Sequence, residues 1–401
     1  MSQFTPSERV AAVPPSGIRK YFELAEEADD VISLGVGEPD FSAPWAAREA
    51  AIDSLERGRT SYTANRGLRE LREAIAADVA GWDLDYDPGE EIVVTAGASE
   101  AVDAAMRAFV DPGDRVAVHE PTYISYRPTI TFAGGEPLAV PTTAETEFVL
   151  TPEALAEAGA DEAELLVLCY PNNPTGATAS RDALERIAAF CREHDLLVVA
   201  DEIYASLTYE GEHTSIATLP GMRERTVVVN GFSKAYAMTG LRLGYALGPP
   251  DAMRALNRVH QYAMLSAPTT AQYAAIEAIE SCDDDLAEMR DAFDRRRRFV
   301  VSRFREMGMD CFEATGAFYA FPKLPDSFPG DDEAFAEGLL EAESVALVPG
   351  SVFGDGGRGH LRVSYATGMS ELKEALARIE RFVGAQSPAS SEASSSASRS
   401  R

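Results

Sequence analysis

The stretch TVVVNGFSKAYAMTGLRLGYALG, residues 226–248, decides the fold. It opens on an apolar β-branched run and closes on a second one, RLGYALG (242–248). A run without polar alternation is a strand buried on both faces, as in parallel sheets sheathed by helices. Four runs of the same kind precede it: EIVVTAG (91–97), RVAVHEP (115–121), ELLVLCYP (164–171) and DLLVVADE (195–202). Helical patterns separate many of them, as at 99–109 and 180–194. Residues 90–250 therefore read as an α/β unit with a mainly parallel sheet, in which ligands collect at the carboxyl ends of the strands. The run at 242–248 follows too closely for a crossover helix, so one antiparallel strand is expected there.

Outward from this unit, VISLGVGEPDF (31–41) reads as a strand entering a Gly/Pro loop, and helices are expected at about 44–57 and 67–80. Residues 1–20, with Pro14-Pro15 and Gly17, read as an arm before a short helix. Downstream, a long helical stretch at about 268–306 leads to a strand, turn, helix, strand rhythm over 311–365 (CFEATGAFYAFP, EAFAEGLLEAE, HLRVSYA). That rhythm predicts a smaller α+β domain. The expected division is an arm with part of the small domain at 1–45, a large domain at 46–285, a small domain at 286–384 and a disordered Ser-rich tail at 385–401.

Composition narrows the class of function. Acidic residues number 65 against 36 basic ones, a net charge of −29, and only Lys20, Lys234, Lys323 and Lys373 are lysines. So acidic a surface repels nucleic acid and anionic membranes. The charge is spread along the chain, which suits a protein working in high salt, where self-repulsion is screened. No apolar run reaches the roughly 20 residues of a bilayer span, and MSQFTPSERV has no signal-peptide pattern. The expected compartment is the cytoplasm. The cysteines (Cys169, Cys191, Cys282, Cys311) lie far apart and read as thiols without disulfide or metal roles. The histidines (His119, His194, His213, His260, His360) lack metal-ligand spacing, and no dinucleotide or P-loop glycine motif is complete.

Several residues carry chemistry by position. Lys234 falls just past a strand in an apolar setting, in a chain that nearly avoids lysine. Alone it is compatible with a surface loop; buried, its amine pKa falls and it can form a Schiff base. Asp201 ends LLVVA and can pair with a pyridinium nitrogen or simply cap a helix. Tyr204 follows three residues on. PNNPTG (171–176) is a rigid turn that presents the Asn173 amide. TAGASEAV (95–102) places Gly97, Ala98 and Ser99 at a helix N-terminus, a weak signal of a phosphate cup. Arg242 can supply a permanent positive charge opposite a phosphate, and Arg362 a fork suited to a carboxylate.

Taken in order and spacing, PNNPTG, ADEIY, NGFSKAYAMTGLRLGY and HLRVSYA resemble the class I (fold type I) pyridoxal-phosphate-dependent aminotransferases, across about residues 15–384. The resemblance implies a mainly parallel seven-stranded sheet between helices, a smaller α+β domain and pyridoxal 5'-phosphate as cofactor. It implies that Lys234 is the Schiff-base lysine and proton carrier, that Asp201 pairs with the pyridine nitrogen, and that Asn173 and Tyr204 contact the ring oxygen. Arg242, Ser233, Gly97, Ala98 and Ser99 would hold the phosphate, and Tyr123 would stack on the ring. Gly37 and Arg362 would bind the substrate carboxylate, with Asn173 also on the substrate. Tyr62, in TSYTANRG, matches the tyrosine that family dimers lend to the neighbouring subunit.

Two departures from the family pattern stand out. Leu241 replaces a tryptophan common before the phosphate arginine, a packing change, and Ser99 stands where some bacterial-type aspartate aminotransferases place a lysine. With no clear second substrate arginine, Ser99 weakens aspartate as donor, while GAFYAFP and VPGSVFG look closer to the branch with a broad or aromatic-type L-amino acid donor and an acceptor such as 2-oxoglutarate. Aspartate or alanine is the alternative. A lyase on the same fold shares this apparatus. A DNA-binding regulator is opposed by the acidic balance and by an arm of only about 40 residues without a helix-turn-helix.

Overall fold

The computed structural model describes residues 4–21, 30–328 and 330–385. Seven strands form the central sheet: β2 (Ile92–Thr95), β3 (Arg115–Glu120), β4 (Glu136–Pro141), β5 (Leu165–Cys169), β6 (Leu197–Asp201), β7 (Thr226–Gly231) and β8 (Gly244–Leu247). Their spatial order is β2-β8-β7-β6-β5-β3-β4. β8 runs antiparallel to both neighbours and every other pairing is parallel. The antiparallel strand thus falls where the short 232–241 connection requires it.

Burial on both faces explains why the strands lack polar alternation. Ile92, Val94, Val228, Tyr245 and Leu247 pack against Leu71 and Ile75 of the Arg69–Val79 helix and Ala271, Ala274 and Ala275 of the Thr269–Ser281 helix. The intervening Val93, Val227, Val229 and Ala246 meet the Ala98–Phe109 and Pro250–Ala263 helices through Ala101, Ala105, Met253 and Leu256. Successive residues point to opposite faces, and each face finds a helical cover.

β4 answers to none of the sequence runs quoted above. It is an edge strand, begins Glu136-Pro137 and ends at Pro141, and only one of its six residues is buried. Proline is tolerated there because an edge strand leaves one row of N–H groups unpaired. The expected helix at 268–306 is two helices, Thr269–Ser281 and Asp283–Glu306, interrupted at Cys282 (φ −116°, ψ 26°). Asp283, Asp284 and Asp285 make a favourable new N-terminus against the helix dipole.

In the remainder, β1 (Ile32–Ser33) pairs in parallel with β10 (Val345–Ala346). β11 (Val348–Pro349) and β9 (Tyr319–Ala320) flank β12 (Leu361–Ser364), both antiparallel to it. The strand expected across CFEATGAFYAFP shrinks to β9, since Ala317 takes φ 55° and breaks extended geometry. The Asp283–Glu306, Asp332–Glu343 and Met369–Ala385 helices cover these strands around Phe293, Phe304, Phe318, Phe335 and Phe382. Each buried phenylalanine contributes roughly 1.5–3 kcal/mol of apolar burial. The last helix includes Ala385, the expected first residue of the tail, and 386–401 lie outside the described residues. The helix expected after the arm is described at 17–21, and 22–29 lie outside the described residues. Among the described residues no helix is long and apolar enough to cross a membrane.

Candidate active site

Strand direction assembles the site. β5, β6 and β7 run parallel, so the segments after Cys169, Asp201 and Gly231 emerge at one end of the sheet, and β8 starts from that same end. A cavity of about 450 Å³ opens there. It is lined by Gly37, Ala98, Ser99, Tyr123, Asn173, Asp201, Tyr204, Ser233, Lys234, Arg242 and Arg362, residues scattered through the sequence from 37 to 362. Gly97 lies just behind the wall, while Tyr62 is 80% exposed and outside the cavity of its own chain.

Lys234 sits in the single turn Phe232–Ala235 that follows β7. Its Nζ donates to the Gly37 carbonyl at 2.6 Å and lies 5.6 Å from the Phe318 ring centre and 6.0 Å from that of Tyr204. Burial lowers the amine from 10.5 to about 8; Arg362 and Arg242 push the same way, against Glu38 and Asp201. An amine so placed is available as a neutral nucleophile near neutral pH.

Asp201 is buried at the end of β6. Burial raises its carboxyl from 3.8 to about 6, opposed by the Tyr126 hydroxyl, which donates to Oδ2 at 2.7 Å, and by the Ile203 amide at 3.2 Å on Oδ1. Asp201 caps no helix, since the next one, Ala205–Leu207, starts from Tyr204; its bond to the Ile203 amide closes a local turn, and the residue lines the cavity. A cationic ring N–H opposite would compensate the burial and keep the carboxylate ionised.

Arg362, on β12, is buried between the rings of Tyr319 and Phe353, each centre 4.8 Å from its guanidinium carbon. Nη1 donates to Asn173 Oδ1 at 3.1 Å and Nη2 to the Gly35 carbonyl, while Nε has no partner. A buried, unpartnered donor at a cavity wall is costly unless a ligand accepts from it. Asn173 uses its oxygen on Arg362, so its NH2 group is the part left to donate elsewhere.

At the far end the Ala98–Phe109 helix starts after Gly97, whose φ of 93° only glycine adopts readily. A Cβ on Gly97 would lie 2.7 Å from Arg242 Nη2, and one on Gly244 2.5 Å from the Ala98 nitrogen. Both glycines let backbone and guanidinium close around first-turn amides that lack intrahelical acceptors. Buried amine, strand-end carboxyl and this anion cup are together the chemistry that pyridoxal phosphate requires, and the residues fit it.

Three contributors escaped the sequence reading. Tyr126 holds Asp201 from within SYRP, three residues past Tyr123. The Tyr319 hydroxyl is 2.9 Å from that of Tyr204, and Phe353 covers Arg362. GAFYAFP and VPGSVFG contain Tyr319 and Phe353, but only the fold shows that they reach the cavity wall and the arginine.

Comparison with known proteins gives one consistent picture. The family model described as aminotransferase class I and II matches residues 29–379. A Bacillus subtilis (strain 168) protein carrying the name aminotransferase YugH is 50% identical over 94% of this chain and 98% of its own length. The aspartate aminotransferase of Pyrococcus abyssi is 42% identical over 94% and 98%. Among solved structures, the aromatic aminotransferase from Pyrococcus horikoshii OT3 superposes with a TM-score of 0.86 at 42% identity, covering 92% of this chain and 98% of that one.

Proposed function

This chain belongs to the class I and II aminotransferase family, and on that premise we propose that its pyridoxal-phosphate-dependent transamination runs through Lys234. The observation that carries the reading is the convergence of Lys234, Asp201, Arg242 and Arg362 on one cavity. Pyridoxal phosphate, when bound, supplies an aldehyde that condenses with amines and a ring that accepts the electron pair of the substrate α-carbon. Lys234 would be the amine that joins it and, once free, would act as general base, taking the substrate α-proton onto Nζ. Asp201 would hold the ring nitrogen, Asn173 and Tyr204 the ring oxygen, and Tyr123 would stack on the ring. Gly97, Ala98, Ser99, Ser233 and Arg242 hold the phosphate, while Arg362 and the Gly37 backbone hold the substrate carboxylate.

The donor is read as a broad or aromatic-type L-amino acid and the acceptor as a 2-oxo acid such as 2-oxoglutarate. Among the described residues the cations lining the cavity are Lys234, Arg242 and Arg362, so no fourth cation is offered to a distal carboxylate. Relatives named for aspartate and for aromatic substrates both occur at about 40% identity, so the choice rests on the cavity.

The working form is read as a homodimer in the cytoplasm of a salt-adapted cell, with Tyr62 reaching the neighbour's phosphate; its exposure supports this. Domain limits of 46–285 for the cofactor domain and 286–384 with 1–45 for the smaller one complete the proposal.

A panel of L-amino acids with 2-oxoglutarate tests the reading. Phenylalanine and tyrosine are expected to exceed aspartate in kcat/KM; dominance by aspartate overturns the donor assignment. Incubation with an amino acid alone should convert the cofactor to its amine form, and ammonia release without that conversion overturns transamination. Lys234→Ala should abolish the visible absorbance of the lysine-linked cofactor, and its persistence sinks the central assignment.

A further inference from the structure

His260 lies in the Pro250–Ala263 helix, is fully buried and stands outside the cavity. Its Nδ1 is 2.6 Å from Glu100 Oε1 and its Nε2 is 2.8 Å from the Asn65 carbonyl oxygen. Glu100 offers a carboxylate and Asn65 a carbonyl, both acceptors, so the ring bridges the two through its nitrogens, an arrangement that suits the imidazolium form.

Glu100 is the third residue of the helix that begins at Ala98, and its other oxygen accepts the amide N–H of Ala96. Because the N-cap is Gly97, with no side chain to cap, this reach-back is what braces the turn. Asn65, on the other side, also donates its side-chain amide to the Leu265 carbonyl at 2.7 Å, and it follows Tyr62 by three residues. One buried ring therefore ties together the turn at 96–98, the segment bearing Tyr62 and the end of its own helix. An unbalanced carboxylate at Glu100 would oppose any anion held by that turn, and the imidazolium cancels it.

We propose that His260 is a positioning residue for phosphate binding: through Glu100 it braces and charge-balances the cup, and through Asn65 it sets the Tyr62 segment. The inference rests on the cup at Gly97–Ser99 holding the phosphate of pyridoxal phosphate. A histidine that merely filled the core would affect stability without distinguishing a phosphorylated ligand from its unphosphorylated counterpart.

The test uses enzyme stripped of cofactor and titrated with pyridoxal phosphate and, separately, with pyridoxal, for wild type, His260→Gln and His260→Gln/Glu100→Gln. His260→Gln is expected to weaken pyridoxal phosphate on the order of ten-fold while pyridoxal stays within about two-fold, and the double variant should recover most of the loss. Inorganic phosphate, as competitor, should weaken in parallel with pyridoxal phosphate. Equal losses for both ligands, no loss, or no recovery in the double variant overturns the proposal. Should the variants not fold, nitrogen-15 NMR of histidine-labelled wild type decides, since a neutral His260 ring also overturns it. Failure of wild type to bind pyridoxal phosphate at all would instead count against the functional reading.

Discussion

The ammonium form of Lys234 is disfavoured by burial, which drops its amine from 10.5 to about 8. The stability consequence has a definite sign. Below pH 8 the lysine is charged in both folded and unfolded chains, so the cofactor-free protein bears the full cost of burying the charge. Between 8 and 10.5 the folded form is already neutral and the cost fades as pH rises. Lys234→Met is therefore expected to raise the urea midpoint of the cofactor-free protein at pH 7, by about 1–3 kcal/mol, with the gain gone above pH 10.5. Tyr126 offers a second test at this scale. Its hydroxyl favours the ionised form of Asp201, so Tyr126→Phe should push that carboxyl above its present value of about 6. A drop in kcat of about ten-fold, with the acid limb of the pH–rate profile moved to higher pH, is expected; an unmoved limb refutes the role.

Where β8 begins, Gly244 touches the Ala98 nitrogen, the Gly97 carbonyl carbon and the Asn230 oxygen at 2.5–2.9 Å from a built Cβ, all of them backbone atoms that cannot swing aside. Gly244→Ala must part β8 from the cup. Expected are a loss of stability of roughly 1–3 kcal/mol and a larger fall in affinity for pyridoxal phosphate than for pyridoxal, read by thermal melts and cofactor titration. The turn's chemistry was only half legible: TAGASEAV suggests a cup, but nothing in it reveals that β8 closes over it. Legibility elsewhere follows the same division. β5, β6 and β7 announce themselves because burial on both faces demands apolar residues throughout. β4 stays hidden because an edge strand with one buried residue obeys no such demand. The break at Cys282 is hidden too, since the apolar pattern continues across it and only backbone dihedrals change. Asp201, Asn173, Lys234 and Arg362 were readable from motifs, whereas Tyr126 and Tyr319 act by contacts across 75 and 115 residues, which no local spacing records.

For the whole molecule, a net charge of −29 must be carried by a compact body. Self-repulsion of that size is relieved by counterions, so the thermal midpoint should rise on going from dilute buffer to molar potassium chloride, on the order of 5 °C or about 1–2 kcal/mol. A flat or falling midpoint would contradict the salt-adapted reading. The same composition leaves four lysines. Lys20 is paired with Glu337, which raises its amine, whereas the amine of Lys234 is held near 8 inside an open cavity. Acylating reagents consume only unprotonated amines, so near pH 8 Lys234 should be tagged ahead of Lys20. Its mass shift, lost when the cofactor occupies the lysine, would count empty sites one molecule at a time.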